Sequence, residues 1–274
     1  MARFPDFLCV GQQKAGTTWL WKNLRAHPQV YLPFVKEIDY FNDLYIPESR
    51  AWISRTRRLQ EFLGYRDRVA DKDAQAFKEL VAHARFAPND VWYAEQFEDA
   101  GARIAGDLTP GYALLPPQGL WHVRRLNPEV KIILMVRDPA ERAWSAARHY
   151  LRRVSKDPEE TDLVAFIEEH PDILKNSDAA AILASWRRIF SEDQIFVHFF
   201  DDVAERPEAL LAEVCDQIGV DPGYEFPAAH EPVFPGIEVE TPAAVSEYLA
   251  EALAPAYARL EAAFPERHFA PKGV

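Results

Sequence analysis

The residues of this chain best suited to chemistry are gathered in one run, Gly11-Gln12-Gln13-Lys14-Ala15-Gly16-Thr17-Thr18, and at three later positions, Glu37, Arg137 and Ser145. In the run, two glycines bracket a loop with a lysine at its middle, and two threonines follow. Backbone N–H groups converge in such a loop, and a helix starting behind it adds a dipole that favours negative charge. The chemistry it suits is the binding of a phosphate or a related oxyanion. Glu37 is a carboxylate beside Lys36 among aromatic residues, which makes it that segment's candidate for chemistry. Arg137 follows an apolar run, Lys131 to Val136, at the place where α/β sheets bind ligands.

The position of the lysine narrows the anion. A nucleotide-kinase loop has its lysine directly after the second glycine, beside the β- and γ-phosphates. Here Thr17 stands at that place and Lys14 lies mid-loop. A polyphosphate–metal site is therefore disfavoured, and an anhydride served by one positioned cation is favoured. Each of these residues also has a plainer reading. The loop could be a glycine-containing turn that binds nothing, Arg137 could pair with Asp138 or Glu141, and Glu37 could pair with Lys36 or an arginine.

The elements that would hold these residues alternate between strand and helix signals. Phe7-Leu8-Cys9-Val10 is a short apolar run of the kind a buried parallel strand needs. Thr17 and Thr18 open a helix carrying Trp19, Leu20, Trp21 and Leu24, which ends near His27-Pro28. Residues 29–33 read as extended, and strands are expected at 103–107, 131–136 and 194–199. Helices are expected at 118–126, after Asp138, and at 179–190, 207–218 and 242–264. Asp138 suits an N-cap, Pro139 the first helical position, and Glu141 the far end of a capping box, with Ser145 two turns in. Residues 48–101 read as a helical, aromatic-rich insertion over the substrate side, with Arg55, Arg57 and Arg58 on a solvated face. The stretch 230–241 is proline-rich and irregular. The expected class is α/β with a central, mostly parallel sheet, and the whole of 1–274 forms one domain.

Composition sets outer bounds. The chain is 48% hydrophobic and 27% charged, an ordinary globular balance with enough apolar content for a large core. A net charge of −12 argues against non-specific nucleic-acid binding. Cys9 and Cys215 are the only cysteines and read as buried thiols, with no disulfide or CxxC metal framework. No apolar run approaches the ~20 residues of a membrane span, and no leader-like stretch precedes Phe7, so a cytoplasmic location is expected.

Two segments carry a family resemblance. GQQKAGTTWL resembles the 5′-phosphosulfate loop of sulfotransferases that use 3′-phosphoadenosine 5′-phosphosulfate (PAPS). KIILMVRDPAERAWSAARHY resembles the 3′-phosphate segment of the same family. With HPQVYLPFVKEIDYF, DLTPGY and ASWRRIFSEDQIFVHFFDD, the similarity covers about two thirds of the chain and is nearest the bacterial and Golgi carbohydrate-sulfotransferase type. The resemblance implies a P-loop-like three-layer αβα fold. It implies transfer of a sulfuryl group from PAPS to a hydroxyl, less readily an amine, of a carbohydrate or small metabolite, with 3′-phosphoadenosine 5′-phosphate (PAP) as product and no metal.

Residue by residue, the resemblance places Gln13, Lys14, Ala15, Gly16, Thr17, Thr18 and Trp19 around the 5′-phosphosulfate. Amides of residues 15–18 form the cradle, and Lys14 sits at the bridging oxygen. Arg137 and Ser145 hold the 3′-phosphate, where a planar guanidinium fork fits. Glu37 becomes the base, its aromatic neighbours raising its pKa, with Asp39, His149 and His27 as rivals.

The chain also departs from the family pattern. Asp107-Leu108-Thr109-Pro110 stands where Golgi relatives carry Glu-Lys-Thr-Pro, Asp39 replaces a frequent histidine, and Ala179 replaces a frequent aromatic. No Lys-Gly-rich capping loop occurs between 220 and 241, and Lys272-Gly273 lies at the very end. Two alternatives follow. A P-loop kinase or nucleotidase would need a lysine after Gly16 and an acid such as Asp107 for magnesium. A catalytically silent PAPS-binding protein would tolerate the departures. The sequence assigns no oligomeric state.

Overall fold

Five short apolar runs pair into one sheet: β1 Phe7–Gly11, β2 Val30–Tyr31, β3 Ile104–Leu108, β4 Lys131–Val136 and β5 Ile195–Phe199. The computed structural model describes residues 3–46, 62–65, 73–85, 87, 89–231 and 241–269. The strand order is β2-β3-β1-β4-β5, and every pairing is parallel. Parallel neighbours need long crossovers, and helices fill them here. The crossovers carry α1 Thr17–Ala26, α2 Tyr40–Tyr45, α3 Asp90–Glu95, α4 Pro117–Leu126, α5 Pro139–Arg153 and α6 Ala179–Arg187, and after β5 come α7 Pro207–Ile218 and α8 Ala243–Ala263; shorter or unlabelled helices lie at Ala74–Ala84, Leu163–Glu169, Asp172–Lys175 and Asp201–Glu205.

Strand periodicity divides the core into two layers. Leu8 and Val10 of β1 and Ile132, Leu134 and Val136 of β4 face one side, against Phe41, Tyr93, Leu120, Val123, Leu183 and Trp186. Phe7, Cys9, Ile133 and Met135 face the other, against Leu20 and Leu24 of α1 and Leu210, Leu211, Val214 and Ile218 of α7. Burial on both faces explains why these strands are apolar throughout. Each such side chain contributes about 1.5–3 kcal/mol on leaving water. The α/β three-layer arrangement is thus the one expected, with a sheet that is wholly rather than mostly parallel.

A third cluster packs α5 on α8 through Ala143, Trp144, Ala147, Val245, Leu249 and Leu253. The Tyr257 hydroxyl on α8 donates to both carboxylate oxygens of Asp138, at 2.9 and 2.8 Å. Helix α8 thereby holds the N-terminus of α5, where Arg137 and Ser145 are carried. The two cysteines are buried free thiols, each pushed up to about 12 by burial.

Of the expected insertion, the described part includes a helical piece at 62–65, the helix Ala74–Ala84, α3 and a 3₁₀ turn, Glu98–Ala100. Trp52, Arg55, Arg57 and Arg58 lie outside the described residues, as do 232–240 of the proline-rich stretch and Lys272-Gly273. Helix α6 ends at Arg187 rather than 190. Among the described residues no helix is long and apolar enough to cross a membrane.

Candidate functional site

The central strand β1 is buried along its length, and the loop after it opens onto the carboxyl edge of the sheet. Gly16, with φ at 85°, is the N-cap of α1, and no side chain caps the helix. No acidic residue lies in the first turn. The first N–H groups of any helix lack intrahelical partners. No carboxylate competes for them here, which is the condition an anion at this helix end would need.

The loop's cradle is smaller than expected. Ala15 N–H donates to the Gln12 carbonyl at 3.2 Å, closing a turn, which leaves the amides of Gly16, Thr17 and Thr18 for a ligand. Trp19 offers its main chain only, because its indole is buried in the core and donates to the Ala229 carbonyl at 2.9 Å.

Lys14, with φ at 71°, occupies the left-handed region that disfavours non-glycine residues. Burial lowers its pKa, and Arg152, Arg137 and Arg148 push the same way, while Glu37 pulls it up. One loop lysine thus shares its electrostatic neighbourhood with three guanidiniums and the candidate base. A chain of net charge −12 has gathered a local cluster of cations there. Arg148 and Arg152 were not singled out in the sequence. The signal was present in their spacing, since Glu141, Ser145, Arg148 and Arg152 recur on one face of α5.

Arg137 reaches the loop from the end of β4. Its Nη1 donates to the Lys14 carbonyl at 3.1 Å, and its guanidinium lies 4.4 Å from the centre of the Phe200 ring. The plainer reading of Arg137 also holds, because it pairs with Glu141 at 3.2 Å. This corrects the capping-box expectation. Asp138 does accept the Glu141 N–H at 3.0 Å, but the Glu141 carboxylate is turned onto Arg137. Ser145 is half-buried on α5.

Two further residues fix the loop, and sequence reasoning passed over their role. Gln12 is fully buried. Its amide nitrogen donates to the Asn176 carbonyl at 2.6 Å, and its side-chain oxygen accepts the Arg137 N–H at 3.1 Å. Arg142 is 1% exposed, and its hydrogen bonds go to neutral oxygens: Ser177 Oγ at 2.9 Å, the Ile173 carbonyl at 2.6 Å and the Gln13 carbonyl at 3.4 Å. Burial lowers its pKa to about 10. A buried arginine in a helix otherwise patterned for packing gives no sequence signal that separates it from a solvated one.

Glu37 enters from the segment between β2 and α2. Its φ is 64° and that of Asp39 is 58°, so two non-glycine residues there adopt left-handed backbone. Lys36 Nζ lies 2.7 Å from Glu37 Oε1, the ion pair weighed as its alternative role. The paired Glu37 charge still acts on both Lys14 and His149. His149 is half-buried, and burial lowers its pKa, followed by Lys14, Arg153 and Arg152. The shift favours the neutral ring, and His149 stays a rival base. His27 is excluded. It caps the far end of α1, with one ring nitrogen against the Asp221 carbonyl at 3.0 Å and the other accepting the Gln29 N–H at 3.1 Å. Asp39 is buried and accepts from Asn42 Nδ2 at 2.8 Å.

Asp107 ends β3 beside this segment. Oδ1 accepts from Thr109 at 2.6 Å, and Oδ2 accepts from Tyr93 at 2.9 Å and Tyr112 at 3.0 Å. Burial pushes its pKa up to about 6 against these hydrogen bonds, and Glu37 adds to the rise. With both oxygens occupied by hydroxyls, Asp107 is not arranged to hold magnesium, which weakens the kinase alternative.

A profile of the sulfotransferase family matches residues 5–224. Carbohydrate sulfotransferase 15 of Rattus norvegicus is 24% identical over 262 residues, covering 80% of this chain and 44% of the relative. Membrane-associated sulfotransferase kil1 of Dictyostelium discoideum is 26% identical over 178 residues, covering 62% of this chain and 29% of the relative. The chain spans less than half the length of these curated relatives. Among solved structures, a sulfotransferase from Alicyclobacillus acidocaldarius superposes with a TM-score of 0.66 at 23% identity, covering 98% of both chains. At that identity the likeness is one of fold.

Proposed function

This chain belongs to the sulfotransferase family, and from that premise we propose that it moves a sulfuryl group from PAPS to a hydroxyl of a carbohydrate or small metabolite. The residues present fit this donor. An uncapped helix N-terminus without acids, two threonine hydroxyls, a loop lysine and a strand-end arginine make a donor set for two separate phosphates. When bound, PAPS would supply the sulfuryl group on a phosphate–sulfate anhydride.

Sulfuryl transfer, like phosphoryl transfer, mainly needs positioning and charge stabilisation. Lys14 is placed to offset charge at the bridging oxygen. Its ammonium is crowded by guanidiniums, so an anion there relieves repulsion as well as adding attraction. Arg137 and Ser145 would hold the 3′-phosphate, with Gln12 and Arg142 keeping the loop in place from behind. Glu37 would accept the proton of the acceptor hydroxyl, with neutral His149 as the alternative base. In this reading the single domain is 1–274, the described part of the insertion from Asp73 to Gly101 lies over the acceptor side, and the chain acts in the cytoplasm.

The observation that carries the proposal is that Arg137, from the end of β4, donates to the Lys14 carbonyl in the loop before the uncapped N-terminus of α1, with the Glu37 charge acting on Lys14. The Lys36–Glu37 ion pair favours a second reading, a chain that binds PAPS without turning it over. Labelled sulfate offered as PAPS to a panel of sugars, phenols, amines and lipids separates the two. Transfer to any panel member supports the enzyme. Tight PAP binding without transfer supports the silent binder, and no PAP binding overturns both.

A further inference from the structure

Asp107-Leu108-Thr109-Pro110-Gly111-Tyr112, where the chain departs from the Glu-Lys-Thr-Pro pattern, lies between the loop that carries Lys14 and the segment that carries Glu37. Its 3₁₀ turn, Pro110–Leu114, packs against Gly11 at the end of β1 and against α2. On the donor side it packs against Gly11, the last residue of β1. A Cβ on Gly11 would fall 2.8 Å from Ala113 Cβ and 3.3 Å from the Pro110 carbonyl, so only glycine lets the turn approach this closely. On the other side, a Cβ on Gly111 would fall 2.2 Å from Asn42 Nδ2 at the start of α2. The turn is a spacer wedged between two halves of one site.

A hydrogen-bond chain runs through it. The buried Tyr112 hydroxyl donates to Asp107 Oδ2 at 3.0 Å and accepts the Tyr40 main-chain N–H at 3.0 Å. A phenol has one proton, so once the Asp107 carboxylate takes it, the lone pairs are left to receive Tyr40. Tyr40 N–H is three residues from Glu37, at the point where the left-handed backbone of Glu37 and Asp39 runs into α2. Backbone in that region persists only when its surroundings hold it. Tyr93 donates to the same Asp107 oxygen, but its ring stacks on the Tyr40 ring, centroids 4.5 Å apart, and its hydroxyl bond goes to the carboxylate.

We propose that Asp107 and Tyr112 are positioning residues for Glu37: the carboxylate orients the Tyr112 hydroxyl, which anchors Tyr40 and so sets Glu37 against the loop that carries Lys14. The inference rests on the reading of Glu37 as the base. It assigns a role to a segment whose family counterpart carries a lysine absent here.

Tyr112→Phe and Tyr93→Phe make a matched test. Each deletes one buried hydroxyl bonded to Asp107 and keeps the ring, but only the first breaks the bond to Tyr40. Hydrogen exchange at the Tyr40 amide should quicken by about tenfold or more in Tyr112→Phe, while Tyr93→Phe stays within about threefold of wild type. With PAPS and the best acceptor of the labelled-sulfate panel, kcat should fall on the order of 10- to 100-fold in Tyr112→Phe, with PAP affinity held within about twofold. If Tyr112→Phe does not fold, Asp107→Asn carries the same measurements, because a neutral amide orients the hydroxyl less strongly. Equal effects from the two tyrosine variants, unchanged exchange at Tyr40, or PAP affinity falling in step with kcat would each overturn the positioning role. Glu37→Gln serves as the reference. If it keeps wild-type kcat, the reading of Glu37 fails; if it is inactive and the two tyrosine variants match, only this inference fails.

Discussion

The guanidinium of Arg137 donates a hydrogen bond to the carbonyl oxygen of Lys14 at 3.1 Å, across 123 residues of sequence. The arginine assigned to one phosphate therefore also braces the lysine assigned to the other. Glu141 shares that guanidinium at 3.2 Å, so a 3′-phosphate would have to compete with a carboxylate already in place.

Arg137→Ala should weaken PAP binding much more than AMP binding. Charge-assisted hydrogen bonds are worth about 1.5–3 kcal/mol each, so the loss is on the order of 10- to 100-fold for PAP. Calorimetric titration with both nucleotides measures it. A variant that binds both as wild type does would remove Arg137 from the 3′-phosphate site.

Lys14→Ala should act mainly on turnover, because charge builds on the bridging oxygen only as the sulfur bond breaks. The expected fall in kcat is ~10²-fold or more, with a smaller loss of PAP affinity. Single-turnover transfer of labelled sulfate separates the two quantities. An affinity loss that accounts for the whole rate loss would make Lys14 a binding residue only.

Glu37→Gln should keep PAP affinity and lower kcat by ~10²–10⁴-fold, since the amide cannot accept the proton. The variant's residual rate should also lack the acid limb of the wild-type pH profile. His149→Gln is the comparison, because burial and nearby cations keep that ring neutral and able to act as a base. Near-normal turnover in Glu37→Gln with collapse in His149→Gln would move the base to the helix.

Asp107 should leave a mark on stability. Its folded pKa is raised from 3.8 to about 6, chiefly by burial. In that interval the folded state keeps a proton that the unfolded state has lost. The group's favourable contribution is thus complete below about pH 4 and is lost as pH rises through about 6. At ~1.4 kcal/mol for each pKa unit, the difference is roughly 3 kcal/mol. Asp107→Asn does not titrate, so wild-type stability relative to this variant should fall by about that amount between pH 4 and 7. Urea unfolding at both pH values tests it, and a difference independent of pH would contradict the burial argument.

Much of the scaffold could be read along the chain because its signals are local. The apolar run Phe7–Val10, the loop bracketed by Gly11 and Gly16, and the threonines after it make strand, loop and helix with neighbours only a few residues away. Asp138 and Pro139 start α5 as their chemistry dictates, with Asp138 accepting the Glu141 N–H at 3.0 Å. The strand Lys131–Val136 has the expected bounds, and Gly219 ends α7 in the left-handed conformation. The plainer readings of Arg137 and Glu37 also materialised as ion pairs, while Arg137 still donates to the Lys14 carbonyl.

The features that local signals missed are those in which a polar group chooses among several possible partners. Glu141 could have returned to its own N-cap and instead takes Arg137. Trp19 begins a helix at the loop, yet its indole turns into the core. Arg142 looks like any helical arginine and is buried behind Gln13. Tyr112 meets Tyr40 across 72 residues. Each choice follows from the strand order, which sets β3 and β4 on either side of β1 and brings their carboxyl ends together. Residue types and short spacings determined that this chain would form a strand, a lysine-bearing loop and a helix whose N-terminus no side chain caps. Which arginine, tyrosine and carboxylate surround it was settled by packing, because burial makes an unpaired polar group costly and only the assembled sheet decides which partner is within reach.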